Sequence, residues 1–126
     1  MKMNIKTDKA CKPKSPIAQG TKANSFIFTT GQLGRDPKTG ELAPNIEGQV
    51  ERALENLKAV VEAGGGDLST VVKINAYVKD LNFVPIFDKA FKRYFPHDPP
   101  ARRCVEVSAL SQGALIVVDA IAAAKD

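Results

Sequence analysis

Apolar and polar residues alternate along this chain with two different periods, and the change between them divides it into elements. Near the start, Met3 and Ile5 are apolar and Lys2, Asn4 and Lys6 polar, which predicts a short half-buried strand whose outward lysines suit a sheet edge. Pro13 and Pro16 then break regular structure, and Ser15 to Gly20 reads as a loop or short extended piece. Ser25-Phe26-Ile27-Phe28-Thr29-Thr30 is aromatic and β-branched, ends at Gly31, and reads as a core strand. Asp36-Pro37-Lys38-Thr39-Gly40 is a turn, because Pro37 presets φ and Gly40 can take a positive φ; Leu33 and Leu42 anchor a hairpin-like excursion around it.

From Asn45 the period lengthens. Ile46, Val50, Ala53, Leu54, Leu57, Val60 and Val61 recur at three-and-four spacing, with Glu47, Glu51, Glu55 and Lys58 largely on the other side. The pattern predicts a helix over 45–63, capped by Asn45 and stopped by Gly64-Gly65-Gly66. Asp67-Leu68-Ser69 forms a short turn, Val71 to Val78 a strand, and Asp80-Leu81-Asn82 a turn. A second helix is expected from about Val84 to Tyr94, with Pro85 in its first turn and Phe83, Phe87, Ala90, Phe91 and Tyr94 on one face. The Phe95–Pro100 connector cannot continue it. Arg102–Val107 and Ala114–Ala124 are then expected as a closing hairpin joined across Ser108–Gly113. The resulting order is β-β-α-β-α-β-β, give or take one N-terminal strand.

The last strand changes this picture. Leu115, Val117 and Ile121 occupy one of its faces, and Ile116, Val118, Ala120 and Ala122 the other. Two amphipathic helices can cover only one face of a sheet. A sheet apolar on both sides therefore expects a second subunit on the uncovered face.

Composition narrows the class without naming it. With 126 residues, 44% hydrophobic and 25% charged, the chain fits one soluble globular domain over residues 1–126. No apolar run approaches a membrane span or the core of a secretory signal. Cys11 and Cys104 are too few and too separated for a disulfide framework or a metal knuckle, which points to reduced thiols and a cytoplasmic protein. The net charge of +4 is concentrated in Lys2, Lys6, Lys9, Lys12, Lys14 and Lys22. These lysines are dispersed and carry no interleaved aromatics, so they read as a solvated basic edge rather than a nucleic-acid surface.

Candidate chemistry is sparse. The single histidine, His97, lies in a Pro-Asp turn and reads as a surface loop residue, and a nucleophile triad or a metal site has too few members. Gly64-Gly65-Gly66 follows a helix rather than preceding one, so it is a stop and not a phosphate cradle. The exception is Pro99-Pro100-Ala101-Arg102-Arg103-Cys104. Its proline-rich turn delivers Arg102 to the head of a strand, with Cys104 on the same face and Arg103 on the other. A guanidinium there needs an anion, either an acidic side chain or a ligand. Cys104 reads as a small buried hydrophobe, or as a thiol whose pKa two nearby arginines lower.

Several ordered pieces carry a further signal: Ser15-Pro16-Ile17-Ala18-Gln19-Gly20, Phe28-Thr29-Thr30-Gly31-Gln32, Asp36-Pro37-Lys38-Thr39-Gly40, Val71-Val72-Lys73 with Asp80, Phe95, and Pro100 to Val107 running into Gly113-Ala114-Leu115. On these the chain resembles the RidA (YjgF) family along almost its whole length. The resemblance implies an α+β, chorismate-mutase-like (YjgF-like) sheet with two helices packed on one face, assembled as a homotrimeric barrel with ligand clefts between subunits. It implies hydrolysis of reactive 2-imino and enamino acids, of the 2-iminopropanoate and 2-aminoacrylate type, to 2-keto acids and ammonia, without cofactor or metal. By the same resemblance Arg102 clamps the substrate carboxylate. Backbone near Gly31 and Cys104 holds the polar atoms and the attacking water, Thr30 joins the catalytic group, and Ile17, Asp88 and Val117 line the binding site.

The chain departs from the family pattern at Ile17 (usually Tyr), Thr30 (usually Ser), Asp88 (frequently Asn), Arg103 (usually small) and, most pointedly, Val117, where a water-positioning acid is usual. Asp119, two residues on and on the same face, substitutes for it if the strand shifts. Val117 and Ile17 favour an alternative, a non-catalytic trimer that senses 2-keto acids. A third reading, single-stranded RNA cleavage with inhibition of translation, has only the N-terminal lysines behind it.

Overall fold

The computed structural model describes residues 2–125. In chain order the strands are β1 (Lys2–Ile5), β2 (Gly20–Ala23), β3 (Phe26–Thr29), β4 (Gln32–Leu33), β5 (Val71–Val78), β6 (Ala101–Glu106) and β7 (Ile116–Ala123). They form a seven-stranded sheet in the order β1-β2-β3-β7-β5-β6, with the two-residue β4 also paired to β7. Two helices, α1 (Ile46–Ala63) and α2 (Val84–Tyr94), pack on the sheet. As expected, Lys2–Ile5 is an edge strand.

Helix α1 begins and ends where local chemistry dictates. Asn45 Oδ1 accepts the Gly48 N–H at 2.8 Å, satisfying one orphan donor of the first turn. At the other end Gly65 donates to Glu62 O and Gly66 to Val61 O, with Gly65 at φ +96°. This paired closure needs a left-handed residue and so selects glycine there. Ile46, Val50, Ala53, Leu54, Leu57, Val60 and Val61 are all buried, in agreement with the spacing. In α2, Pro85 sits in the first turn and Phe87, Ala90 and Phe91 are buried. A two-pronged ion pair, Arg93 to Glu51 at 3.0 and 2.6 Å, links the helices at the surface.

Two sequence expectations are corrected. The segment between Ser15 and Asn24 carries no clear strand pattern, yet Gly20–Ala23 is β2, paired between β1 and β3. Its residues have little strand preference of their own, and the ladders on both sides impose the conformation. The closing hairpin does not form. Strand β6 runs parallel to β5, Ile74 opposite Arg102 and Ala76 opposite Cys104, whereas β7 runs antiparallel to β5, so β5 separates them. The reason is the crossover through α2, which returns the chain parallel to β5 and fills one side of it. Strand β7 takes the other side, between β5 and β3, and that central place is why it is nearly apolar throughout.

The helices cover one face only. On it, Ile27, Ile74, Ala76, Ile116, Val118 and Ala122 are fully buried. On the other lie Phe26 and Phe28, 48% and 42% exposed, with Val117 and Ile121 half-buried beside them. The alternation of β7 is as expected. Among the described residues, no helix is long and apolar enough to cross a membrane.

Candidate functional site

Arg102 is the second residue of β6 and stands in the Ile74 row, on the helix-covered face. Its guanidinium lies over the rings of Phe87 and Phe91, with Cζ 5.2 and 5.0 Å from the centroids. The aromatic platform holds the planar cation while its side chain stays 25% exposed. Asp88, the residue after Phe87 in α2, lies alongside, with Arg102 Nη1 2.5 Å from Asp88 Oδ1. The contact is ionic but poorly aligned, and the buried Oδ1 accepts no hydrogen bond from the described residues. Of the two anions the sequence left open for Arg102, the acidic side chain is thus the one this chain itself provides.

Cys104 follows on the same face, in one row with Ala76 and Val118. Burial pushes its thiol pKa up; the Arg102 charge pulls the other way and does not reverse it. Of the two readings of Cys104, the small buried hydrophobe is the one this environment favours: desolvation of the charged form outweighs the cation. The backbone of Cys104 is better placed for chemistry. Val107 donates to Val78 O at 2.9 Å, which sets the alternation of the β5–β6 ladder. By that alternation, the N–H and C=O of Arg102 and Cys104 point away from β5 to the open edge of the sheet.

Ile17, Thr30, Gly31 and Val117 come together elsewhere. They line a cleft of about 290 Å³ with Ser15, Gln32 and Arg35. Buried amides hold its walls. Gln19 donates to the carbonyls of Thr7, Ala10 and Cys11 at 3.0–3.1 Å, and Asn56 to those of Leu33 and Arg35 at 3.0 and 2.9 Å. Gly31 packs directly on Val117, since a Cβ at Gly31 would lie 2.8 Å from Val117 Cγ1. Thr30 is fixed by its N–H to Gln19 O at 2.9 Å, and its own carbonyl accepts from Gln32 at 3.2 Å.

The expected site residues therefore fall into two groups. Arg102, Cys104 and Asp88 gather on the helix-covered side of β6. Val117 stands in the Tyr77–Val105 row, on the opposite face of the sheet, with Thr30, Gly31 and Ile17 around its cleft. Asp119 does not take the place of an acid at 117. Strand β7 is in regular register there, Asn75 opposite Asp119 and Tyr77 opposite Val117, and Asn75 Nδ2 donates to Asp119 Oδ1 at 2.8 Å. Sequence reasoning places Phe87 and Phe91 on an apolar helix face without seeing that they carry Arg102. It passes over Arg35 altogether, a 6% exposed cation at the cleft whose Nη2 donates to Lys12 O at 2.9 Å. Its place beside the Asp36–Gly40 turn was the available signal.

Comparison with known proteins agrees with this architecture. The family described as Endoribonuclease L-PSP matches residues 7–124. The chain is 43% identical to a RutC family protein of Pyrococcus horikoshii over 97% of this chain and 98% of that one. It is 38% identical to a protein of Salmonella typhimurium named 2-iminobutanoate/2-iminopropanoate deaminase, again over 97% and 98%. The crystal structure of RidA from an Antarctic Psychrobacter superposes with a TM-score of 0.94 at 36% identity, covering 96% of this chain and 98% of that one. With the motifs, the helix-on-sheet fold and matches across nearly the whole length in accord, the chain belongs to the RidA (YjgF) family, which carries the description Endoribonuclease L-PSP.

Proposed function

We propose that this protein hydrolyses small 2-imino and enamino acids to 2-keto acids and ammonia, in clefts formed between the subunits of a homotrimer. The observation that carries the reading is Arg102, a cation braced on two aromatic rings and partly open to solvent, at the head of an edge strand with its outer backbone free. The carboxylate of the substrate docks on the guanidinium donors that Asp88 leaves free. The imine carbon is already electrophilic, so placement of one water is the main further requirement. That water adds to C2 and one of its protons passes to nitrogen; the hydroxyl proton of the carbinolamine then reaches the same nitrogen as the C2–N bond breaks, so ammonia leaves and the C2–O bond becomes a carbonyl. The outward backbone of Cys104 and the hydroxyl of Thr30 are the groups available to hold the water.

The division of the site residues between two faces of the sheet supports a composite cleft. One subunit supplies Arg102, Cys104 and Asp88, and its neighbour supplies Ile17, Thr30, Gly31 and Val117. The bare apolar face around Phe26 and Phe28 offers the surface for assembly. A relative with the name 2-iminobutanoate/2-iminopropanoate deaminase supports the choice of substrate. Val117, which gives the cleft no carboxylate, favours one competing reading, a binder of 2-keto acids without turnover.

The test generates 2-iminopropanoate in situ with an amino-acid oxidase and follows its disappearance. The expected result is loss well above the buffer rate, falling by about 100-fold or more in Arg102→Ala. No acceleration, with 2-keto acid binding that still requires Arg102, establishes the binder instead. Activity unchanged in Arg102→Ala overturns the site.

A further inference from the structure

We infer that Asp88 makes this site selective for zwitterions: ligands with a carboxylate and a cationic nitrogen on adjacent carbons, a 2-ammonio acid or a protonated 2-imino acid. The inference rests on the proposed role of Arg102 and adds what stands next to it.

Arg102 and Asp88 form one ion pair, and both ends remain accessible, at 25% and 46% side-chain exposure. The closest approach is Arg102 Nη1 to Asp88 Oδ1. The contacting oxygen is buried and accepts no hydrogen bond from the described residues. The other oxygen is not among the buried unpaired atoms and accepts no hydrogen bond from the described residues, so it is the carboxylate oxygen open to solvent next to Arg102. The result is a row of donors and an anionic acceptor side by side, fixed by Phe87 and Phe91 below and by helix α2 behind.

Such a row is complementary to a molecule of the opposite pattern. The ligand carboxylate takes the free Arg102 donors, and the cationic nitrogen takes the free Asp88 oxygen. A ligand with only a carboxylate meets a cation already half-neutralised and an anion at close range. An amide at position 88 offers the guanidinium no counter-charge and imposes no such penalty. The pairing also has a kinetic consequence. Protonation makes the imine both more electrophilic and a better partner for Asp88, whereas hydrolysis removes the nitrogen. The 2-keto acid left behind has lost its attraction to Asp88 and keeps only the repulsion, which favours its release.

The test measures calorimetric binding of two near-isosteres, L-2-aminobutanoate and 2-oxobutanoate, to the assembled protein. The wild type is expected to bind the amino acid at least about tenfold more tightly. In Asp88→Asn that preference is expected to shrink to within about twofold or to invert, mainly by tighter binding of the keto acid. A ratio is read, so a general loosening of α2, which weakens both ligands alike, leaves it unmoved. An equal or reversed preference in the wild type overturns the inference, as does a ratio unchanged in Asp88→Asn, or no binding of either ligand at about 10 mM. Arg102→Ala separates the two readings. Loss of both ligands there with an unchanged Asp88→Asn ratio sinks the zwitterion selectivity alone, and retention of both in Arg102→Ala sinks the site itself.

Discussion

The two faces of the sheet are made from the same strands and differ in what finishes them. On the helix side, Ile74, Val118 and Ala122 are sealed by α1 and α2, and the apolar rows find their partners within the chain. On the bare side, Phe26, Phe28, Val117 and Ile121 form rows of comparable apolar character that the two helices leave uncovered. The difference is one of cover: the chain's own helices bury one face, and leave the other, with the β6 edge, open. The site residues straddle that division, Arg102 on the finished face and Val117 on the unfinished one.

The largest effect is expected where the finished face is cut. Leu57 is fully buried beneath the sheet, and Leu57→Ala should cost about 2–5 kcal/mol in a denaturant titration through lost burial and the cavity left behind. An effect below about 1 kcal/mol means that α1 is not the chain's main internal cover. On the bare face the same kind of insult should act on association instead. Phe28→Glu should reduce the mass seen by light scattering to that of one chain while the helical circular dichroism persists. An unchanged mass removes the bare face from the assembly.

Val117→Glu sharpens the comparison at the cleft itself. A carboxylate beside Thr30 and Gly31 should raise the rate of imine hydrolysis by about tenfold or more if water activation limits this chain. No gain means that the reaction does not depend on an acid there.

The smallest effect concerns a surface tie far from either site. Asp67 pairs with Lys125 Nζ at 2.8 Å and accepts from Ser69, which lowers its pKa to about 2. Its folded pKa lies below the ordinary aspartate value, so the pair contributes above about pH 4 and its contribution is lost as pH falls from 4 towards 2. The pair is exposed and screened by solvent, so Asp67→Asn should lower the melting temperature by no more than about 2 °C at pH 7, and by clearly less at pH 2. Thermal melts at both values check this, and an equal loss at pH 2 means that the charge is not what Asp67 contributes.

How much of this could be read from the sequence depends on whether a feature is local. Both helices and β5 were legible, because period, cap and stop are written within one segment: Asn45 and Gly64-Gly65-Gly66 bracket α1, and Pro85 opens α2. The alternation of β7 was legible for the same reason, and with it the expectation of a bare apolar face. Strand β2 was not, since Gly20-Thr21-Lys22-Ala23 is a strand only by virtue of its neighbours. The expected final hairpin fails because adjacency in sequence is not adjacency in space: the α2 crossover puts β5 between β6 and β7. At the site, Arg102 and Cys104 share a face by strand geometry and could be seen. The contact of Arg102 with Asp88 and its seat on Phe87 and Phe91 come from packing of α2 on β6, which no local pattern encodes.

The central claim is that one cleft draws Arg102 from one subunit and Gly31 from another. Mixed assemblies test it most directly. Arg102→Ala lacks the clamp, and Gly31→Val forces side-chain atoms against Val117, where even a Cβ comes within 2.8 Å. Each variant alone should be inactive while keeping the wild-type mass. When the two are unfolded together and refolded as mixed assemblies, a cleft with Arg102 from one chain and Gly31 from the other should form in about one quarter of cases, and activity should return to about that fraction. Mixed assemblies that stay as inactive as the separate variants contradict a site shared between subunits.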